Sequence, residues 1–560
     1  MLLETLVAVR DIGRLHDIAT VMIRYGFGDV VQRLGLAGML EKANRLLRWD
    51  TAEALLQLDA PTRVRRAMED LGPTFVKLGQ VLATRVDLFP PEWIAAFGEL
   101  QNDVPALPYE QIVQQLSEDL GGDPERVFAR FERTPVAAAS LAQAHRAWLE
   151  DGSAVIVKVR RPGIQTVVDA DLRLMVRLAE AVQAHAPDLA RYRPREVVAQ
   201  FAASLKRELD FAAECRNAER IAANFAGHDE IVIPRVHWQW TGERVNVQDF
   251  IDGIPGRDLA AVEAAGLDRA TLARIGAQTI LKMVLEDGFF HADPHPGNIF
   301  YLRDGRIGLI DFGMVGVLAS RRRYQVARLL HGLAAYDVES VSDTLMEWAG
   351  DVEVDEARLQ ADSENFISQY RNVPLGQLSL GRMLSDVTVI LRQHGLMLPP
   401  DLALLIKTFV TLEGMGRALD PAFNMAAEAK PFLGKVLWEH YAPSALMRRG
   451  RSTLLRTMDL LHDLPRELRR LLHNTAGGKL RTQVDVPELR PFGDQINRAA
   501  NRLTMGLITS ALIIGSSIVM TSRSGTPGRG VSTLGLLGFI GAGLCGIWIL
   551  FSIWRSGRHK

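Results

Sequence analysis

Residues 287–313 read DGFFHADPHPGNIFYLRDGRIGLIDFG. Metal-assisted phosphoryl transfer needs few protein parts: an acid near the nucleophile's proton, and oxygen ligands for the cations that screen the phosphates. Asp293, then Asn298 five residues later, then Asp311 at the head of an Asp-Phe-Gly, have that chemistry in that order. Between them, 299–302 and 307–310 are short apolar runs joined by Arg303-Asp304-Gly305-Arg306. That pattern predicts two strands and a turn, which would hold the two metal ligands at a fixed separation.

Each piece alone has an ordinary alternative. An isolated Asp-Phe-Gly is usually a turn, and Pro294, Pro296 and Gly297 mark a loop in any protein. The alternation of His291, Asp293 and His295 also suits a metal-hydrolase cluster. That second reading leaves Asn298 and the hairpin unexplained, so the protein-kinase-like reading ranks first. It requires an upstream phosphate loop and a buried lysine.

The 560 residues suffice for two or more domains, and 48% apolar content for substantial cores. Acidic and basic residues nearly cancel (66 against 65), which gives no electrostatic case for a nucleic-acid partner. Cys215 and Cys545 are the only cysteines, and the second lies in an apolar run, so a disulfide framework is not expected and a reducing, cytosolic environment fits. The opening MLLETLVAVRDIGRL lacks the basic region and long apolar core of a secretory signal. Leu2 stands where a myristoylation signal needs glycine, and there is no C-terminal prenylation box.

The membrane signal is at the other end. Residues 503–522 and 530–554 are predicted transmembrane helices, each without a charged side chain and about 20 residues or more, joined by TSRSGTPGRG. A buried soluble hairpin is the alternative. Against it, Gly535, Gly538, Gly541, Gly543 and Gly546 suit close helix contact in lipid better than a soluble helix. Arg498, Arg502, Arg555, Arg558 and Lys560 flank the pair outside, with only Arg523 and Arg529 between, which puts both ends and the catalytic body in the cytoplasm.

Residues 1–66 read as a helical arm, and 67–130 as a helical extension. In the latter, Gly72-Pro73-Thr74 opens a helix with Phe75, Leu78, Val81 and Leu82 on its apolar face and Lys77 and Gln80 off it, usually the mark of a solvated face. Residues 131–252 read as a small lobe. Ala137, Ala138, Ala139 and Ser140 stand where a kinase carries its Gly-rich phosphate loop, and Lys158 sits within AVIVKVR, either a buried strand whose lysine needs an acid or an exposed edge. Residues 196–224 are helical in pattern and carry Glu208, Asp210 and Glu214; Asp210 and Glu214 share a helix stripe, Glu208 does not. An inserted helix, roughly 169–186, would account for the long interval from Lys158 to Glu214. Runs at 231–234, 236–240 and 244–250 are expected to complete an antiparallel sheet, with Asp249, Phe250 and Asp252-Gly253 as the hinge. Residues 253–495 form a helical lobe with the catalytic and metal loops, and after Gly316 no further constellation is visible. Arginines interleaved with leucines across 446–481 make a basic amphipathic surface, suited to anionic headgroups or to the protein's own helices.

These motifs together resemble the UbiB family of atypical kinases, also called aarF-domain proteins, of the bacterial membrane-anchored type. LGPTFVKLGQ, AAAS, VIVKVRRPG, ELDF followed by Glu214 and Asn217, HADPHPGN and LIDFG carry the resemblance. It implies an α+β, two-lobe kinase-like fold with a helical N-terminal extension and a C-terminal transmembrane hairpin. By the same resemblance Lys158 pairs with Glu214 beside ATP, Asn298 and Asp311 hold Mg2+, and Asp293 is the catalytic-loop acid. Lys77 and Gln80 would face Glu208 and Asp210 over the site. Leu141-Ala142 departs from the Ile-Gly expected after the Ala-rich loop. The implied role is support of ubiquinone biosynthesis at the bacterial inner membrane through ATP binding and hydrolysis, with membrane lipids, quinone intermediates and biosynthetic enzymes as partners. A membrane-tethered protein kinase and a catalytically silent scaffold are the alternatives.

Overall fold

The structure, a computed structural model, describes residues 2–33, 58–86, 88–100, 105–185, 193–349, 355–370, 379–396, 398–442, 503–518 and 540–544. The chain divides into two units, 1–449 and 450–560.

In the first unit, α1 (Leu2–Arg24), α2 (Gly28–Arg33), α3 (Ala60–Leu71), α4 (Pro73–Leu82) and α5 (Pro91–Gly98) precede the small lobe. Gly72 separates α3 from α4 with φ 96°, a left-handed turn that bends the chain before Pro73 can start a new helix. The buried face of α4 is Phe75, Val76, Lys77 and Gly79, while Leu78, Val81 and Leu82 are only half-buried. The apolar stripe expected from the sequence is thus rotated, and Lys77 is inside.

The small lobe contains α6 (Tyr109–Leu120), α7 (Pro124–Val127), β1 (Arg130–Phe131), β2 (Ala137–Ala138), β3 (Ala142–Trp148), β4 (Ala154–Arg160), α8 (Ile164–His185), α9 (Pro194–Glu208) and α10 (Phe211–Asn224). Its sheet is closed by β6 (Val245–Asp249), in the antiparallel order β1-β3-β4-β6 with β2 on β3. Val155, Val157 and Val159 alternate inward onto Ile112, Leu116 and Phe128 of the α6 side. The inserted helix begins earlier than 169, at Ile164, and a second helix, α9, follows it. Both belong to one core with α3 and α4, through Met68, Phe75, Val168, Leu172, Phe201 and Leu205. The insertion is the seat on which the N-terminal extension packs.

Two sequence expectations need correction here. Of the three runs after residue 230, β6 joins the small sheet along its length, Val236 adds a single antiparallel bridge to Gln248 of β6 before Trp238–Trp240 forms a 3-10 turn, and β5 (Ile231–Val232) pairs instead in parallel with β10 (Ile307–Leu309) of the large lobe. The helix read across 196–224 breaks at Leu209–Asp210, where Asp210 accepts from the Ala213 N–H as the N-cap of α10. Asp210 and Glu214 therefore do not share a helix stripe.

The large lobe follows β7 (Ile254–Pro255) with α11 (Leu259–Ala264) and α12 (Arg269–Leu281). A wider π-type turn, Lys282–Asp287, ends at Gly288, whose φ of 63° and close approach to the Leu318 carbonyl exclude any side chain. Then β8 (Phe289–His291) pairs with β11 (Val315–Val317), and β9 (Ile299–Tyr301) with β10 (Ile307–Leu309). These are the predicted hairpin and its flanks. Helices α13 (Ser320–Ala335), α14 (Val338–Ala349), α15 (Glu356–Tyr370), α16 (Leu380–Gln393), α17 (Pro400–Leu419) and α18 (Met425–Tyr441) enclose one apolar core.

In the second unit, 503–518 and 540–544 are helical, and Leu503, Leu507, Ile508, Ile513, Ile514, Ile518, Ile540 and Leu544 are exposed. Among the described residues no helix is long and apolar enough to cross a membrane. The rest of both predicted spans, and the basic stretch 446–481, lie outside the described residues.

Candidate functional site

Lys158 lies in mid-strand between β3 and β6, opposite Ala144 and Asn246, so the edge-strand alternative is removed. Its neighbours in β4 point into the apolar core, which leaves the lysine on the face toward α10. There Nζ donates to both carboxylate oxygens of Glu214, at 3.0 and 2.8 Å, with Asp311 Oδ2 at 4.0 Å. Burial pulls the Lys158 ammonium down, but Asp311 and Glu214 outweigh it and hold the group above its ordinary value. Burial pushes the Glu214 carboxyl up against the pull of Lys158. The pair is a charged joint between sheet and helix. Asn217, one turn beyond Glu214, donates to the Phe312 carbonyl at 3.0 Å and ties the same helix to the metal loop.

The hairpin β9–β10 carries Asn298 at its start and Asp311 after its end, as its sequence predicts. Asn298 is buried, and its Nδ2 donates to the Asp293 carbonyl at 3.1 Å, an orientation that leaves the amide oxygen for a cation. Asp311 has φ 60°, a left-handed conformation that Asp tolerates better than most residues. Its side chain is 49% exposed, open to the cleft rather than sealed in the core. The Lys158 charge beside it, with Lys77 behind, holds its carboxyl down at about 2 against the desolvation of the surrounding walls. An amide oxygen and one carboxylate are hard donors suited to magnesium when phosphate oxygens complete the shell.

Burial pushes the Asp293 carboxyl up, but Lys407 and His295 outweigh it and hold the group below the usual range. Lys407 Nζ donates to Asp293 Oδ1 at 2.9 Å, and His295 Nε2 lies 3.9 Å from Oδ2. His291 is fully buried, which lowers its imidazole, and its Nδ1 accepts from the Asp293 N–H at 3.3 Å. His295 Nδ1 accepts from the Gly297 N–H. Both rings thus serve the loop's own geometry, and among the described residues no three His, Cys, Asp or Glu side chains converge as a metal site. The hydrolase-type cluster is not formed.

On the other side stands α4. Lys77 is 8% exposed and its Nζ is paired with Glu208. Burial lowers the ammonium, but Glu208, with Asp311 and Asp293 further off, holds it above its ordinary value. The lysine therefore faces the acids of the inter-lobe cleft. Gln80 Nε2 donates to the Leu100 carbonyl at 3.1 Å. Asp210 is occupied as a helix cap and with Arg216 at 3.1 Å. Lys77 with Glu208 is one of the expected cover contacts.

Between the lobes is a cavity of about 420 Å³, lined by Ala137, Ala138, Ala139, Lys158, Glu214, Asn298 and Asp311 among others, with Asp249, Phe250 and Ile251 along the connection between lobes. Ser140 lies just beyond, buried. The loop is tight: the Ala139 N–H donates to the Ala142 carbonyl at 2.7 Å, and Arg161 braces it by donating to the Ala139 and Pro105 carbonyls. The departing pair is absorbed without distortion, Leu141 in the α4 core and Ala142 as the first residue of β3.

Sequence reasoning missed Lys407, Thr408 and Arg161. Lys407 sits alone in the apolar run ALLIKTFV, the same signal that singled out Lys158, but in a helix of ordinary appearance.

The ABC1 atypical kinase-like domain model matches residues 99–345, the UbiB helical domain 363–424, and the ABC1/UbiB kinase-like C-terminal domain 487–555. The chain is 32% identical over 525 residues to the probable protein kinase UbiB of Xanthomonas campestris pv. campestris (strain B100), covering 91% of this chain and 94% of that one. The chain belongs to the ABC1/UbiB kinase-like family. A second relative, the probable protein kinase UbiB of Xylella fastidiosa (strain M23), is 30% identical over 550 residues and is matched over 99% of its length, against 97% of this chain. Among solved structures, the Rv3197–erythromycin complex from Mycobacterium tuberculosis aligns with TM-score 0.46 at 23% identity, over 63% of this chain and 90% of that one. As a UbiB-family atypical kinase, the chain has α+β architecture with kinase-like sheet and helical lobes.

Proposed function

We propose that this family member binds Mg-ATP in the cleft between its lobes and couples nucleotide turnover to the handling of prenylated lipid intermediates in ubiquinone biosynthesis at the bacterial inner membrane. The carrying observation is the convergence of the Lys158–Glu214 pair, Asn298 and Asp311 on one cavity of about 420 Å³, with Asp293 held beside it by the Asn298 amide. Lys158 would meet phosphate oxygens, Asn298 and Asp311 would hold magnesium, and Asp293 would orient the nucleophile. Magnesium, when bound, would neutralise charge on the phosphates. Membrane attachment rests on the two charge-poor C-terminal stretches, with the basic segment before them as a second contact.

A lipid or small-molecule role is favoured over a peptide substrate by Lys77. The helix α4 fills the side of the cleft where Glu208 stands, and its lysine occupies that acid. A second reading, a protein kinase, is favoured by the name of the relatives, probable protein kinase UbiB. The two separate in one experiment: magnesium-dependent ATP hydrolysis by the full chain in vesicles, with and without a quinone-like phenol, beside autophosphorylation and protein-acceptor assays. Hydrolysis that rises with lipid or phenol and leaves no phosphoprotein supports the first reading. Absence of magnesium-dependent nucleotide binding overturns both.

A further inference from the structure

The loop from Asp293 to Asn298 contains Pro294, His295, Pro296 and Gly297, with no lysine or arginine. Its acid nevertheless has an ammonium partner. Lys407, 114 positions later in α17, donates to Asp293 Oδ1 at 2.9 Å, and the two side chains are 25% and 26% exposed. The next residue, Thr408, is fully buried and donates to the Ala292 carbonyl at 3.2 Å as well as to the Leu404 carbonyl of its own helix. Two successive residues of one helix therefore grip two successive residues of the loop. Asn298 closes the third side through the Asp293 carbonyl.

We infer that Lys407 is a positioning residue of the phosphoryl-transfer site, one that fixes the Asp293 carboxylate through Oδ1 while Oδ2, 3.9 Å from His295 Nε2, stays outside that bond. The argument is geometric. An Asp side chain turns about two bonds, and a misdirected carboxylate loses most of what proximity gives a catalytic group. The loop's prolines hold the backbone, but nothing in a proline or glycine holds the carboxylate. A charge-assisted bond from a lysine rooted in the packed core of the large lobe does. The neighbouring Leu405, Ile406 and Phe409 are all buried in that core, so the lysine's root is stiff.

This inference rests on the reading of the cleft as a Mg-ATP site, and its test keeps the two apart. The full chain is prepared in detergent as parent, Lys407→Met, Lys407→Arg, Asp293→Asn and the double variant Asp293→Asn/Lys407→Met. Mg-ATP affinity, kcat, KM and melting temperature are measured for each. Lys407→Met, which keeps bulk and removes charge, is expected to leave Mg-ATP affinity and KM within about threefold while kcat falls about tenfold or more. Lys407→Arg is expected to recover most of that loss. In the Asp293→Asn background the same Lys407→Met change should alter kcat less than about twofold, because the residue acts through the acid already removed. Equal losses for Met and Arg, multiplying losses in the double variant, or an unchanged kcat would each overturn the assignment while the parent's Mg-ATP binding stands. A parent that binds no Mg-ATP removes the reading of the cleft, and with it the reaction that Lys407 would serve.

Discussion

Gly79 lies in α4 two residues after Lys77, and a methyl group there is a sensitive probe of how the cover is held. A Cβ built on it would stand 2.1 Å from Leu100 Cδ1 and 2.8 Å from Met68 Sδ. Both neighbours are buried in the core that unites the N-terminal extension with the inserted helices, at 4% and 8% exposure. Alanine gains about 1 kcal/mol over glycine as a helix residue. Overpacking a buried site costs roughly 1–3 kcal/mol. The clashing atoms are side-chain ends that can turn, but the Leu100 carbonyl is also held by Gln80. The net expectation for Gly79→Ala is a loss of about 0–2 kcal/mol, felt as displacement of α4 from α3 and the 97–100 segment rather than unfolding of the lobes. Hydrogen exchange of the α4 amides should then quicken by up to about thirtyfold, on the scale of tenfold per 1.4 kcal/mol. The decisive measurement is the cycle with Leu100→Ala. That change alone should cost about 2–5 kcal/mol. With the added methyl filling part of the space, the double variant should lose about 1–3 kcal/mol less than the sum. Additive losses, or a Gly79→Ala protein stabilised by the full helix propensity, would refute the account of a closely seated cover.

The other expectations are simpler. Asp311→Asn keeps a residue that accepts φ 60° and removes only the charge, so magnesium-dependent nucleotide binding should vanish with little change in melting temperature; unchanged Mg-ATP affinity would remove the metal assignment. Asp293→Asn should spare binding and lower turnover by about 10²–10⁴-fold, read from kcat with KM as the control. Lys77→Ala strips a buried partner from Glu208, at a cost of about 1–3 kcal/mol, and should change ATP hydrolysis as well as melting; parental values for both would count against α4 as a cover of the cleft. A chain ending at Asp494 should leave the membrane fraction, or hold to it only through a salt-sensitive contact of the basic segment, and sedimentation with membranes at high salt would count against the hairpin.

The parts that were legible in the sequence are those built from short-range pattern plus one chemical demand. The hairpin between Asn298 and Asp311 was readable because two apolar runs and a Gly-containing turn leave few alternatives, and β9–β10 pairs Ile307 with Tyr301 as that pattern requires. Lys158 was readable because a lysine within valines needs an acid, and Glu214 answers it. What was not legible depends on how elements rotate and dock. The buried side of α4 includes Lys77 because the acid of α9 and the acids of the cleft meet it there, a long-range cause that periodicity cannot carry. Asp210 looked like a member of a helix stripe and is a cap, since a two-residue break between α9 and α10 leaves no mark in apolar spacing. Ile231–Val232 looked like its neighbours and pairs across the lobes instead, with β10.

Three lysines from three elements each meet one acid: Lys77 of α4 with Glu208, Lys158 of β4 with Glu214 in the cavity wall, and Lys407 of α17 with Asp293. Asp311, the acid proposed for the metal, shares Lys158 with Glu214: the ammonium stands 4.0 Å away, and its hydrogen bonds go to Glu214. Among these four acids Asp311 is the one that its lysine does not hydrogen-bond, which suits the magnesium assignment, and the Lys158 charge keeps its carboxyl ionised down to about 2. The pairing also separates the roles of the lysines. Loss of Lys158 should expose Glu214 and weaken nucleotide binding, loss of Lys77 should free the cover, and loss of Lys407 should leave binding intact and blunt the acid. Because each ammonium is rooted in a different packed element, the three effects are expected to be separable in single variants.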